Sequence, residues 1–180
     1  MDKDTKEIRD AFKALGWNNR KISVKHRYCG YSDAIDITIK SFDVDIKKAE
    51  EIAKSKQSIR YDEYSGEPLL GANTYVNVEF DRDLLKNERM DIRYANIANK
   101  LRAMEMKIDH GKIIAETDKY RIFYFANCSS THHGQIYIET VDNKMVEHGR
   151  YTVYHEEGLE SILVELIRCR KLVDFENFNV

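Results

Sequence analysis

The chain has 180 residues, of which 42% are hydrophobic and 33% are charged, and its formal net charge is −2. This length fits one domain or two small ones, and the composition excludes a mainly disordered chain. No apolar run approaches the roughly 20 residues that span a bilayer, so we expect no membrane partner.

The chain opens with the pattern of an amphipathic helix, which two strands follow. Asp4 is predicted to cap this helix, with Glu7 three residues later as in a capping box, and a glycine ends it. Alternation of apolar and polar residues over 22–26 and again over 34–40 predicts two half-buried strands. The residues between them, 29–33, predict a turn.

A second helix is predicted around residues 46–55, with Asp43 or Asp45 as its cap. The polar segment 62–71 contains glycine and proline and predicts an irregular hairpin or loop. Residues 74–80 alternate again, so the first half has the order helix, strand, strand, helix, loop, strand.

The second half begins with a charged connection over residues 81–92 and a predicted helix over 92–106. A final amphipathic helix is predicted over 157–171. Between these helices, strands joined by short turns are predicted at 112–116, 120–127, 135–140 and 151–154. Short connections favour antiparallel pairing. We therefore predict an α+β fold with mostly antiparallel sheets and helices packed on one face, in two small α/β units, residues 1–80 and 81–180.

Basic residues concentrate near the N-terminus, where residues 1–60 contain 14 lysines and arginines against 10 acids. The run 20–27, next to Tyr28, has the composition of a surface that tracks phosphates and stacks bases. Its predicted nucleic-acid-binding residues are Arg20, Lys21, Lys25 and Arg27. A solvated strand face explains the same composition.

Acidic residues concentrate over 61–91, which contains 3 lysines and arginines against 8 acids. Such a segment could present a surface to a basic protein. Its predicted protein-binding residues are Asp62, Glu63, Glu67, Asp81 and Asp83. A charged linker is the simpler interpretation.

Cys128 and the pair His132 and His133 lie in a polar stretch between two predicted strands. A nucleophile beside a histidine can be catalytic, but a third group must orient the base, and a polar loop explains the same residues. Neither the histidines, His110 among them, nor the three cysteines have the spacing of metal ligands. We therefore predict no catalytic residue, no metal and no cofactor, and free thiols in a cytoplasmic protein.

The first 80 residues resemble a small domain associated with the large polyvalent proteins of Gram-positive mobile elements. Three stretches carry the resemblance: Leu15-Gly16-Trp17-Asn18, Ile22-Ser23-Val24-Lys25, and Gly66-Glu67 followed by Gly71-Ala72-Asn73-Thr74-Tyr75-Val76. The resemblance implies a mobile element in a bacterial cell and supplies no catalytic residues.

In size and context the chain is similar in kind to the type II-A anti-CRISPR proteins. This resemblance implies an inhibitor of Cas9 or of its guide RNA complex, with contact to RNA as one way of binding. Two alternatives stay open. One is an accessory protein of conjugation or replication that binds single-stranded nucleic acid, and the other is a small ribonuclease that uses His132 or His133. The sequence leaves the oligomeric state open.

Overall fold

The computed structural model describes residues 3–104, 111–126, 134–153 and 158–180. The chain divides into two compact units, Met1–Leu84 and Leu85–Val180. Helices accompany two sheets in which antiparallel pairs predominate, which confirms the predicted α+β class. None of the described helices is long and apolar enough to cross a membrane.

Over its described residues 3–81, the N-terminal unit contains a three-stranded sheet and two helices. The strands are β1 (Ile22–Cys29), β2 (Ser32–Ile39) and β3 (Thr74–Phe80), in the spatial order β1-β2-β3. The helices are α1 (Lys3–Ala14) and α2 (Ile46–Lys54). Asp45 caps α2 by accepting the backbone N–H groups of Lys47 and Lys48, which confirms one of the two predicted caps. The capping box predicted at Asp4 is wrong, because α1 begins at Lys3 and Asp4 lies in its first turn.

Alternation along these strands separates a buried face from an exposed face. The helices pack on the buried face with Ile8 and Phe12 of α1 and Ala49 and Ala53 of α2. The strand residues of this face are Ile22, Val24, Ile35, Ile37, Ile39, Val76 and Phe80. Burial of each large aliphatic side chain contributes about 1.5–3 kcal/mol, so this layer holds the unit together.

One strand pair differs from the predicted antiparallel arrangement. β1 and β2 are antiparallel, but β2 and β3 are parallel, with Ile35 beside Val76. A parallel strand requires the chain to return to the starting end of its neighbour, and residues 40–73, with α2 among them, make that crossover. The prediction followed from short connections, and this connection is long.

The hairpin between β1 and β2 is tighter than predicted. Cys29 pairs with Ser32, so the turn contains only Gly30 and Tyr31. Gly30 has a φ of 63°, the left-handed conformation that the first central residue of a type II′ turn requires. Residues up to Cys29 therefore belong to β1.

The predicted connection over residues 81–92 is wrong, because a helix, α3 (Arg82–Arg89), occupies most of it. The carboxylate of Asp81 accepts the backbone N–H groups of Asp83 and Leu84, both at 3.1 Å, and caps this helix. Arginine, leucine, lysine and glutamate all favour helices, so a charged stretch after a cap residue became helical.

The C-terminal unit contains a four-stranded antiparallel meander in the order β4-β5-β6-β7. Its strands are β4 (Lys112–Glu116), β5 (Tyr120–Phe125), β6 (Gly134–Thr140) and β7 (Met145–Val153). β7 begins earlier than predicted because the turn that precedes it already reverses the chain, with a φ of 60° at Asn143.

The described part of this unit also contains the helices α4 (Ile92–Arg102) and α5 (Gly158–Val164), and α3 ends in it. α4 ends before the predicted boundary at residue 106. The predicted final helix over 157–171 is interrupted, because a π-helical turn, Glu165–Cys169, follows α5 directly. Both helices bury one face, which includes Leu101 and Leu163.

Candidate protein-binding surface

A buried asparagine forms hydrogen bonds both within the loop between α2 and β3 and to strand β2 of the sheet. Asn73 is 1% exposed. Its Oδ1 accepts the backbone N–H of Arg60 at 2.9 Å, and its Nδ2 donates to the carbonyl of Leu69 at 2.6 Å. Its own carbonyl accepts the N–H of Asp33 in β2 at 2.8 Å. Because unpaired polar groups in a buried site are costly, these bonds fix the path of residues 58–73.

A narrow turn projects from this loop. An isolated β-bridge at Tyr61 closes it, and the N–H of Asp62 donates to the carbonyl of Glu67 at 2.8 Å. Inside the turn, the Asp62 carboxylate accepts the backbone N–H groups of Ser65 at 2.8 Å and Tyr64 at 3.0 Å. These bonds hold the pKa of Asp62 below its usual value, so this carboxylate is ionised at neutral pH.

Large apolar side chains are exposed at this end of the unit, where β1 turns into β2 and β3 begins. Between 55% and 100% of their surface is exposed, and we call them the tyrosine end: Tyr28, Tyr31, Tyr61, Tyr64 and Leu70. A single exposed apolar residue is ordinary, but several at one place mark interaction surfaces.

The backbone ties the β1–β2 turn to the loop at the tyrosine end. The N–H of Ala72 donates to the carbonyl of Tyr31 at 2.8 Å. Gly71 lies so close that a Cβ placed on it would be 3.3 Å from the Cβ of Tyr31, and its φ of 84° also favours glycine. The turn and the loop therefore belong to one connected part of the unit.

The predicted acidic residues fall into two groups. Three of them lie in the turn that carries two of the exposed tyrosines: Asp62, Glu63 and Glu67. The other two, Asp81 and Asp83, lie at the start of α3. The structure gives Asp81 a capping role and brings only the first group to the tyrosine end.

Two of the predicted basic residues, Lys25 and Arg27, are exposed on β1 and share the face opposite the helices. Arg27 Nε lies 2.9 Å from Asp36 Oδ2, and Asn77 Nδ2 donates to Asp36 Oδ1 at 2.9 Å. The hydrogen bond from Arg27 is the main cause that lowers the pKa of Asp36. The ionised carboxylate offsets the charge of Arg27, so this face is only weakly basic.

The other two, Arg20 and Lys21, lie just before β1. Lys21 Nζ pairs with Asp43 Oδ2 at 3.2 Å. Arg20 is exposed, and within the described ranges neither Arg20 nor Lys25 forms an ion pair. Two of the four predicted phosphate contacts therefore already have acidic partners inside the protein.

The C-terminal unit contains a polar cluster of its own. The Tyr94 hydroxyl donates to Glu88 Oε1 at 2.9 Å, and Arg168 Nε lies 3.0 Å from the same oxygen. Burial, and then the Glu88 carboxylate, raise the pKa of Tyr94 well above its usual value. Burial likewise raises the pKa of the Cys169 thiol, which keeps it protonated and unreactive.

The residues of the predicted histidine cluster, Cys128, His132 and His133, lie outside the described residues, as does His110. In the part of the chain that the structure describes, no group of three histidine, cysteine, aspartate or glutamate side chains could hold a metal ion.

Five residues of this surface have no role in the sequence-based predictions: Tyr31, Tyr61, Tyr64, Leu70 and Asn73. Asn73 stands directly before a strand and after Gly71 and Ala72, a pattern typical of a backbone reversal that needs a side-chain hydrogen bond. Exposure of Tyr31 and Leu70 depends on the tertiary path of the loop, which residue types alone do not specify.

A scan against protein-family models, a search of curated proteins and a search of solved structures each found no match to this chain.

Proposed function

We propose that this chain acts by binding a protein through the tyrosine end, and that it inhibits a bacterial defence nuclease. The proposed target is Cas9 or its guide RNA complex, inside the cytoplasm of a bacterial host. The binding role follows from one observation, the grouping of four tyrosines and a leucine with most of their surface exposed at one end of a unit with a closed core.

Tyrosine is well suited to such a contact. Its ring supplies a large apolar area with only two side-chain torsions to fix, and its hydroxyl can form a hydrogen bond at the same time. Tyrosine is enriched among the few interface residues that supply most of the binding free energy. Tyr61 and Tyr64 are held on a turn that its own hydrogen bonds stiffen, so binding requires little ordering.

The charges beside the tyrosines favour a basic protein over a nucleic acid. The turn of Tyr61 and Tyr64 also carries Asp62, Glu63 and Glu67, and the lowered pKa of Asp62 keeps it negative. Carboxylates repel phosphates, whereas platforms for single strands place basic residues beside the stacking rings. Cas9 holds its guide duplex in a positively charged channel, which an acidic turn with exposed tyrosines would complement.

The choice of Cas9 comes from the resemblance of the first 80 residues to a domain of mobile elements and from the likeness in size and context to type II-A anti-CRISPR proteins. The surface specifies only the chemistry of the partner, a basic protein surface with room for aromatic side chains.

Binding of the purified chain to immobilised Cas9, with and without guide RNA, tests this proposal, together with Cas9 cleavage of target DNA. The double substitution Tyr61→Ala and Tyr64→Ala should weaken binding about tenfold or more, because it removes two aromatic anchors. The matched control is Met90→Ala with Met145→Ala, which removes two exposed apolar side chains of the other unit.

Absence of binding by the parent chain to either form of Cas9 at low salt would overturn the proposal that Cas9 is the target. Equal binding by the tyrosine variant and the parent would instead show that the tyrosine end is not the binding surface. A similar loss of binding in the methionine control would show that the loss in the tyrosine variant is not specific to the tyrosine end.

A second candidate is binding of single-stranded nucleic acid, which is favoured by the exposure of Arg20 just before β1 and of Lys25 and Tyr28 along that strand. The double substitution Arg20→Ala and Lys25→Ala breaks no ion pair within the described ranges. A loss of RNA binding in this variant would therefore report lost contacts to RNA rather than a loss of folding. If both residues contact phosphates, affinity for a single-stranded RNA should depend less steeply on salt, by about 0.7 in the log–log slope for each contact.

The ribonuclease alternative is tested by incubating the chain with RNA alone and then with the Cas9–guide complex. Cleavage of free RNA that is lost in His132→Ala or His133→Ala would favour this alternative over inhibition by binding.

A further inference from the structure

The outer side of β1 is an open sheet edge. Among the strands that the structure describes, β1 has a single neighbour, β2. The N–H of Lys40 donates to the carbonyl of Lys21 at 2.7 Å, and Cys29 pairs with Ser32 at the turn. This phase of the antiparallel ladder directs the odd-numbered residues of β1 toward β2 and the even-numbered residues outward.

Few of the outward backbone groups have a partner. Arg9 Nη2 donates to the carbonyl of Val24 at 2.5 Å, and the N–H of Ile22 donates to the carbonyl of Asn18 at 3.0 Å. Among the residues that the structure describes, nothing bonds to the N–H of Val24 or to the backbone N–H and C=O of His26 and Tyr28. A row of unpaired groups on an edge strand is a template for another strand.

We propose that an extended segment of a partner protein, with acidic residues at alternate positions, adds to this edge as a strand antiparallel to β1. The added strand would bond to the N–H of Val24 and to the backbone N–H and C=O groups of His26 and Tyr28. Its acidic side chains would lie opposite Lys25 and Arg27, both exposed on one face of β1.

Charge complementarity between the basic side chains of β1 and acidic side chains of the added strand favours this partner. Lys25 and Arg27 do not bond to the added strand through their backbone, so each would face its opposite residue at the closer of the two ladder spacings. Opposite charges at such positions stabilise a strand pair, and like charges destabilise it. Lys25 lies opposite Asp36 in the ladder, and Arg27 bonds to the same carboxylate, so the two cations exceed the single charge of Asp36 by one, and this excess attracts a carboxylate of the added strand.

A second copy of this chain fits the edge poorly. If the two-fold axis of an antiparallel pair passes through His26, Lys25 of each copy faces Arg27 of the other. If it passes through Lys25, the two lysines face one another. Either register places like charges directly opposite, which disfavours self-association through β1.

Two capped seven-residue peptides test the proposal with the whole chain, one alternating threonine with glutamate and the other threonine with lysine. Amide hydrogen exchange is measured by NMR with each peptide. At a concentration about ten times its dissociation constant, the glutamate peptide should slow exchange about tenfold at Val24, His26 and Tyr28. Exchange at Lys25 and Arg27, which already bond to β2, should change little.

Charge reversal supplies the second measurement. Lys25→Glu should weaken binding of the glutamate peptide about threefold to tenfold and strengthen binding of the lysine peptide. The matched control is Lys119→Glu, an exposed lysine of the other unit, which should leave the preference unchanged.

Three outcomes would overturn the proposal: no slowed exchange with the glutamate peptide at millimolar concentration, equal slowing by both peptides, or equal slowing at inward and outward amides. The variant Tyr61→Ala with Tyr64→Ala should still bind the glutamate peptide, so failure of the tyrosine end and failure of this edge are distinguishable.

Discussion

The backbone N–H of Arg60 donates to the side-chain oxygen Oδ1 of Asn73 at 2.9 Å, so a side chain supplies the acceptor that a neighbouring strand would supply in a sheet. The same side chain donates to the carbonyl of Leu69, on the opposite arm of the loop, and to the hydroxyl of Tyr75 at 3.2 Å. One carboxamide therefore joins both arms of the loop that presents Tyr61 and Tyr64.

Asn73→Ala should lower the free energy of unfolding of the N-terminal unit by about 1–3 kcal/mol, because the backbone groups of Arg60 and Leu69 lose their partner in a buried site. Trp17 is the single tryptophan of the chain and packs against Phe12 in this unit. Its fluorescence during urea unfolding measures the change.

The matched control is Asn77→Ala. Asn77 also donates a hydrogen bond, to Asp36, but it is exposed and water can replace it. A loss as large in Asn77→Ala as in Asn73→Ala would contradict the role assigned to Asn73.

The ion pair between Arg27 and Asp36 should make stability depend on pH. The pKa of Asp36 is lowered from 3.8 in the folded protein, chiefly by the hydrogen bond from Arg27. The stabilising contribution is therefore fully present above pH 3.8 and is lost as the pH falls through the folded-state pKa. Asp36→Asn should be less stable than the parent at pH 7, and the difference should disappear in strong acid.

Urea unfolding at pH 7 and at pH values well below 3.8 measures this difference. A difference that persists unchanged in acid would show that the substitution acts by altered packing rather than by loss of the charge.

Tyr94 should stay un-ionised in the folded protein at a pH where exposed tyrosines titrate. Burial raises its pKa above the ordinary value of 10.0, so folding favours the neutral hydroxyl, and the resulting stability is lost as the pH rises above 10.0. Tyr94→Phe should cost about 1–1.5 kcal/mol at neutral pH through the lost hydrogen bond to Glu88. Its stability should fall less steeply above pH 10.0 than that of the parent.

Thermal unfolding followed by circular dichroism, at neutral and at alkaline pH, checks both statements about Tyr94. Tyr64→Phe is the control, because water replaces the hydroxyl partner of a side chain that is almost fully exposed. The same alkaline slope in the parent and in Tyr94→Phe would contradict the assignment.

The free protein should show alternating amide exchange along β1. Ser23, Lys25 and Arg27 donate toward β2 and should exchange slowly, whereas His26 and Tyr28 point outward and should exchange much faster. Residue-resolved exchange by NMR measures the pattern. Slow exchange at both sets would mean that the outer edge of β1 is already covered.

The fold class and most strands follow from the sequence because alternation is a local signal. Ile35, Ile37 and Ile39 are apolar at every second position and are all buried. The parallel pairing of β2 with β3 could not be predicted in the same way, since it depends on where the chain goes between residues 40 and 73. α3 could not be predicted with the same assurance, since a charged stretch is equally typical of a connection and the cap at Asp81 is seen only in the structure.

The candidate surface was predictable only in part. Asp62, Glu63 and Glu67 stand out in sequence by charge, and the structure shows that they accompany Tyr61 and Tyr64 on one turn. The ion pairs of Lys21 with Asp43 and of Arg27 with Asp36 join residues that are distant in sequence. The basic residues counted along the sequence therefore suggest a more positive strand surface than the folded unit has, because acidic partners neutralise two of them.

The parallel pairing of β2 with β3 has a consequence for synthesis on the ribosome. The β1–β2 hairpin needs only a two-residue turn and can form early, but β2 receives its second neighbour only after Thr74–Phe80 has been made. Until then the central strand of the finished sheet is itself an edge, with Ile35, Ile37 and Ile39 only partly covered. A nascent or truncated chain that stops short of Thr74 should therefore need a chaperone, or aggregate through a strand that the complete protein never exposes.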